Sequence, residues 1–222
     1  FPFTQYFPPR KILLVGNPIR KRLLSGSRKE AIQIFDLVGG KPILLIMGGS
    51  QGASRMNDML LGILDEALKQ FEIIHQTGEA NFKTVQEEAK VMMSEVNLPY
   101  YHSVPFLDEN VIRHAYAAAD FIVNRAGSGS IFEIAALGKP SILIPLPESA
   151  QNHQVENAYA YAATGAAIVL EEANMRPHFF LERIRDVIFD QAEMERMSQA
   201  ALRFAKPDAA RIIADYLLAY LL

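Results

Sequence analysis

Short apolar runs rich in Ile, Leu and Val, set between amphipathic stretches, constrain the fold of this chain most. The runs are KILLV (11–15), PILLIM (42–47), EIIHQ (72–76), YYHSVP (100–105), FIVN (121–124), SILIPL (141–146) and AIVL (167–170). Most lack the apolar–polar alternation of a half-exposed strand, so they read as strands buried on both faces, as in a parallel sheet. The stretches between them, 53–70, 82–96, 109–119, 130–137 and 153–163, carry apolar residues near helical spacing, and residues 177–222 read as a helical tail. Strand–helix alternation of this kind predicts right-handed crossovers and an α/β, doubly wound parallel sheet.

Such sheets bind ligands beyond the carboxyl ends of their strands. The strand-to-helix loops are GNPIR (16–20), GGSQGAS (48–54), TGEANF (77–82), FLDEN (106–110), RAGSGS (125–130) and PESAQNHQ (147–154). GGSQGAS is neither a G-x-G-x-x-G nor a P-loop, but its glycines admit close backbone approach and Ser50 adds a hydroxyl. Read alone it is equally a glycine turn with a serine cap. Pro18 suits a helix start, and Arg20 follows it beside a strand end; its neighbourhood holds seven of the 22 Lys and Arg, a cluster that can grip phosphates or be a solvated face. Asp108 is a natural N-cap, while the backbone near Leu107 could meet a base or sugar edge.

RAGSGSIFE is the richest loop. Gly127 and Gly129 open a turn, Ser128 and Ser130 offer hydroxyls, and a helix N-terminus there would favour a diphosphate. Ser130 and Glu133 also match a capping box, S-x-x-E, in which the Glu133 carboxylate folds onto the Ser130 N–H. Both readings stand on the local sequence. In PESAQNHQVEN, His153, Gln154 and their polar neighbours suit sugar hydroxyls.

Composition removes several classes. The formal net charge is −3, which does not fit a general nucleic-acid binder. There is no cysteine, hence no disulfide frame or thiolate metal site. H-E-x-x-H does not occur, and no apolar run nears the ~20 residues that span a bilayer.

Taken in order, GNPIR, MGGSQGAS, HQTGE, VPFLDEN, NRAGSGSIFEIAALGKPSILIPLP and NHQVENA resemble the MurG transferases from about residue 10 through residue 172, and more loosely beyond. The resemblance implies one Rossmann-like half of a GT-B glycosyltransferase. Residues 1–10 would be an interdomain linker remnant and residues 11–222 the C-terminal domain that binds the UDP-sugar. The N-terminal acceptor domain, with the catalytic base, would lie outside the chain. This fragment alone would then be inactive, and no catalytic residue is assigned within it.

The implied reaction transfers N-acetylglucosamine from UDP-N-acetylglucosamine (UDP-GlcNAc) to lipid I, giving lipid II for peptidoglycan, by an inverting displacement without a metal or other cofactor. The implied partners are UDP-GlcNAc, lipid I through the other domain and, peripherally, the membrane surface, with no nucleic acid. The implied location is the cytoplasmic face of the bacterial inner membrane. The donor contacts carried over are Arg20 near the diphosphate, Ser50, Leu107 through its backbone to uracil, and Ser128, Gly129, Ser130, Ile131, Phe132 and Glu133 around phosphates and ribose. Glu133 would accept from the ribose hydroxyls, and His153 and Gln154 would reach the sugar. Phe132 departs from the family, where a smaller or polar residue is expected, and PESAQNHQ has its own spacer. Another GT-B transferase, a UDP-sugar epimerase, and a nucleotide-sugar-binding subunit of a split enzyme remain open.

Overall fold

The computed structural model describes residue 8 and residues 12–49, 53–147 and 152–221. Among these, six strands form one parallel sheet in the order β3-β2-β1-β4-β5-β6. They are β1 (Ile43–Met47), β2 (Glu72–Gln76), β3 (Tyr101–Val104), β4 (Phe121–Asn124), β5 (Ser141–Leu143) and β6 (Ala167–Val169). The helices are α1 (Arg28–Phe35), α2 (Ala53–Leu61), α3 (Leu64–Leu68), α4 (Phe82–Met92), α5 (Glu109–Ala118), α6 (Ser128–Ala136), α7 (His153–Ala162), α8 (Pro177–Ile188), α9 (Gln191–Phe204) and α10 (Ala209–Leu221). A short 3-10 turn, Lys21–Ser25, precedes α1.

The expected doubly wound sheet is thus present. All five residues of β1 are buried, and successive side chains enter opposite layers. Leu44 and Ile46 join the core beneath α2, α3 and α8, whereas Ile43, Leu45 and Met47 join the one beneath α1 and α5. A third cluster, with Ile131, Leu143, Tyr161 and Ala201, seats α6, α7 and α9. Helices on both faces explain why the strand sequences carry no polar alternation.

One expected strand does not form. Residues 12–15 of KILLV pair with nothing in the sheet, and Leu13 and Leu14 are 51% and 64% exposed. Residue 11 lies outside the described residues. The segment crosses the surface beside α6 and α9, where Gly16, at φ +83°, passes so close to Lys206 and Phe132 that a Cβ would fall 2.6 and 2.9 Å from their side chains. An apolar run this short has the composition of a strand, but composition alone does not provide a free sheet edge to pair with.

At the amino end of the sheet, the fully buried Glu72 carboxylate accepts from the N–H groups of Val38 (2.7 Å) and Gly39 (2.9 Å) and contacts His102 Nε2 (2.8 Å). These bonds satisfy a buried charge and lock the loop that enters β1. The opposite end, where the strands finish, is left to its loops.

Candidate nucleotide site at the carboxyl ends of the strands

In chain order, β1, β2 and β3 step outward to one side, after which the chain returns to place β4 on the other flank of β1. The crevice between the ends of β1 and β4 is therefore the topological switch point, where the loops on either side diverge and leave room for a ligand. Met47 pairs in register with Asn124 at that point. A pocket of about 180 Å³ opens there, lined by Met47 and Gly49 after β1, Gln76 at the end of β2, Leu107 after β3 and Asn124 at the end of β4. Ser130 and Glu133 of α6, Tyr116 of α5 and Arg20 complete its wall.

Arg125, the first residue after β4, braces the rim. Its guanidinium donates to the carbonyls of Gly48 (3.4 Å) and Ile144 (3.3 Å) and pairs with Glu172 (2.5 Å). It thereby ties the loops that follow β1, β5 and β6. Both partners are buried, and Glu172 also takes Arg55 at 2.9 Å. The geometry explains how an arginine is tolerated in the interior: carbonyls and carboxylate together occupy its fixed fork of donors.

α6 begins at Ser128, two residues earlier than the sequence suggests, with Gly127 as N-cap and no side-chain cap bond. Ser130 is therefore the third residue of the helix and Glu133 the sixth. A capping box needs its serine at the N-cap and its glutamate at the third position, so this one does not form. The Glu133 carboxylate is instead held by Arg20, with Nε to Oε1 at 2.8 Å and a terminal guanidinium nitrogen to Oε2 at 3.0 Å. The Glu133 side chain is 9% exposed and that of Arg20 44%. The hydrogen bond that Arg20 donates to Glu133 raises the Arg20 pKa above its ordinary value. Burial, aided by the nearby Glu133 charge, pushes the Tyr116 phenol up as well, so it stays protonated as a donor.

The other expected site residues fall in different places. Ser128 and Gly129 form the first turn of α6, half-buried, and Gly129 lies beside Asn17 of GNPIR, so those two loops are adjacent. Leu107 is buried, and its N–H donates to Gln76 Oε1 at 3.2 Å. Asp108 is a helix cap, accepting from Asn110 and Val111. Ile131 and Phe132 turn away from the pocket. Ile131 is fully buried in the third core cluster, and Phe132 sits 5.0 Å from the Phe204 ring in an apolar groove of about 490 Å³ bounded by α6, α7 and α9. That groove accounts for a large ring at position 132. His153 is exposed at the start of α7, and Gln154 Oε1 accepts from the Leu146 N–H at 3.0 Å. Ser50 lies outside the described residues.

Sequence reasoning did not single out Arg125, Gln76, Tyr116 or Asn124. Arg125 and Asn124 had a signal, since they stand at the end of β4 and the start of its loop. Tyr116 had none: only the folded path of α5 brings it to the pocket.

Residues 43–213 match the family model described as the glycosyltransferase family 28 C-terminal domain. Among curated relatives, a UDP-N-acetylglucosamine--N-acetylmuramyl-(pentapeptide) pyrophosphoryl-undecaprenol N-acetylglucosamine transferase from Thermodesulfovibrio yellowstonii is 35% identical over 95% of this chain and 57% of its own length. The protein of that name from Flavobacterium psychrophilum is 36% identical over 95% of the chain and 56% of its own length. The chain thus spans about half the length of the curated relatives it matches. Among solved structures, Acinetobacter baumannii MurG superposes with a TM-score of 0.74 at 25% identity, covering 98% of this chain and 58% of that one. A UDP-GlcNAc 2-epimerase from Neisseria meningitidis, bound to UDP-GlcNAc, shares the fold at a TM-score of 0.60 and 17% identity, over 86% of this chain and 48% of that one. The family match takes in all six strands and the whole pocket wall except Arg20, and on that basis the chain belongs to the glycosyltransferase family 28 C-terminal domain family.

Proposed function

We propose that this chain is the donor-binding half of a GT-B glycosyltransferase that moves N-acetylglucosamine from UDP-GlcNAc to lipid I, forming lipid II. One observation carries the reading: a buried glutamate and an arginine pair in the wall of a pocket at the switch point, beside the first turn of a helix. The relatives' printed names supply the substrates. A nucleoside diphosphate presents the matching groups, with ribose hydroxyls for a carboxylate and phosphates for a cation and a helix start.

The base lies toward Leu107 and Gln76. Glu133 accepts from the ribose hydroxyls, and Arg20 with the N–H groups of Ser128 and Gly129 takes the diphosphate. Ser130 adds a hydroxyl from the pocket wall. His153 and Gln154 face the sugar from α7. The acceptor C4 hydroxyl attacks the anomeric carbon, the bond to the diphosphate breaks, and its electron pair leaves on UDP. Charge grows on the diphosphate as that happens, so preset donors there lower the barrier. The acceptor site and the base are assigned to the part of such an enzyme that lies beyond its donor-binding half. No metal or other cofactor is assigned.

Because the acceptor is lipid-linked, the enzyme works at the cytoplasmic face of the inner membrane as a peripheral protein. No helix among the described residues is long and apolar enough to cross a membrane. Titration calorimetry of the chain with UDP-GlcNAc and with UDP tests the reading. Saturable binding of both is expected, and failure of both at millimolar concentration would refute it.

A further inference from the structure

We propose that Arg20 makes nucleotide recognition conditional on the diphosphate, by holding the Glu133 carboxylate until phosphates draw it away. This rests on the donor-binding reading above and adds a specificity role to it. The Arg20–Glu133 pair is bidentate, at 2.8 and 3.0 Å, and both residues line the pocket. Both Glu133 oxygens are thus engaged by the residue whose other task is to meet phosphate.

The two ends of the pair differ in burial. Glu133 is fixed on α6 with its side chain 9% exposed, so its charge has little water to fall back on. Arg20 lies outside the helices, immediately before the Lys21–Ser25 turn, and its side chain is 44% exposed. The mobile partner is therefore the arginine. A nucleoside that lacks phosphates can offer Glu133 only neutral hydroxyls. Exchanging a cation for these leaves the buried carboxylate and the displaced guanidinium both without a counter-charge, which is unfavourable. A nucleoside diphosphate gives the guanidinium a second anion of the same bidentate geometry, and frees Glu133 for the ribose in one exchange.

The arrangement also bears on product release and substrate choice. UDP and UDP-sugars carry the key, whereas uridine does not, although it shares every base and ribose contact. Discrimination by a buried polar group that would be left unpaired is far steeper than discrimination by lost contact area.

The test is calorimetric titration of the full chain with uridine and with UDP, for the wild type and for Arg20→Met, with thermal melts to establish that the variant is folded. The wild type should bind UDP at least a hundredfold more tightly than uridine. Arg20→Met should shift the two ligands in opposite directions: UDP weaker by about tenfold or more, uridine tighter by about tenfold. Arg20→Lys retains the charge but cannot span both carboxylate oxygens, and should shift each ligand in the direction Arg20→Met does, by smaller factors. If Arg20→Met weakens both ligands, or leaves uridine unchanged, the arginine does not withhold Glu133 from the ribose and the proposal is wrong. Absence of UDP binding to the wild type would overturn the donor reading itself, and this one with it.

Discussion

At the scale of single residues, Glu133 separates two roles that look alike in a sequence. A capping glutamate stabilises its helix, and losing a cap costs about 1 kcal/mol. Here the carboxylate makes no cap bond and is turned onto Arg20 in the pocket wall. Glu133→Gln keeps the size and one acceptor oxygen, and its cation partner is half-exposed, so the expected loss of stability is under about 1 kcal/mol. UDP affinity is expected to fall about tenfold, because a neutral amide is a weaker acceptor for ribose hydroxyls. Urea unfolding and calorimetry on the same sample read both quantities. A large stability loss with unchanged affinity would return Glu133 to a structural role.

At the scale of elements, the loops at the carboxyl end of the sheet are bound together by Arg125. Arg125→Met removes the donors to Gly48 and Ile144 and leaves the buried Glu172 with Arg55, a partner 71% exposed. Breaking a buried pair from one side costs about 3 kcal/mol, which a shift in the denaturant midpoint should show. The loops after β1, β5 and β6 should also lose order together, visible as a joint rise in amide exchange. Strand and helix positions are legible in the sequence wherever period and length agree, as for PILLIM, FIVN and residues 109–119. They are less so where one residue decides. Gly62 lies in the turn that divides the 53–70 stretch into α2 and α3, and Gly127 moves the start of α6. The site is legible as a set of loops but not as contacts. Arg20 and Glu133 stand 113 positions apart, and no local pattern brings them together.

At the scale of the whole molecule, the two-faced core sets the response to acid. His75 is fully buried in β2, with its ring nitrogens on Tyr101 OH (2.8 Å) and Asn57 Oδ1 (3.0 Å). Burial lowers its pKa from 6.5 to about 3. At pH 7 the ring is neutral in the folded chain and mostly neutral in the unfolded one, so it contributes little pH dependence there. Below 6.5 the unfolded chain gains a proton that the folded chain refuses until about pH 3, and stability falls across that window. By pH 5 the loss from this residue should be about 2 kcal/mol. Urea unfolding at pH 7 and pH 5 measures it, and His75→Gln should flatten the difference whatever its effect at pH 7. The strand order has a consequence of another kind, for the chain as it leaves the ribosome. β1 finds one neighbour, β2, soon after it emerges, but its other edge waits for β4, since Leu44 pairs with Phe121. At about 5–20 residues per second, the stretch from Met47 to Asn124 takes roughly 4–15 s to synthesise. Throughout that interval the most apolar strand of the protein has an unpaired edge, the form in which nascent chains aggregate or recruit a chaperone.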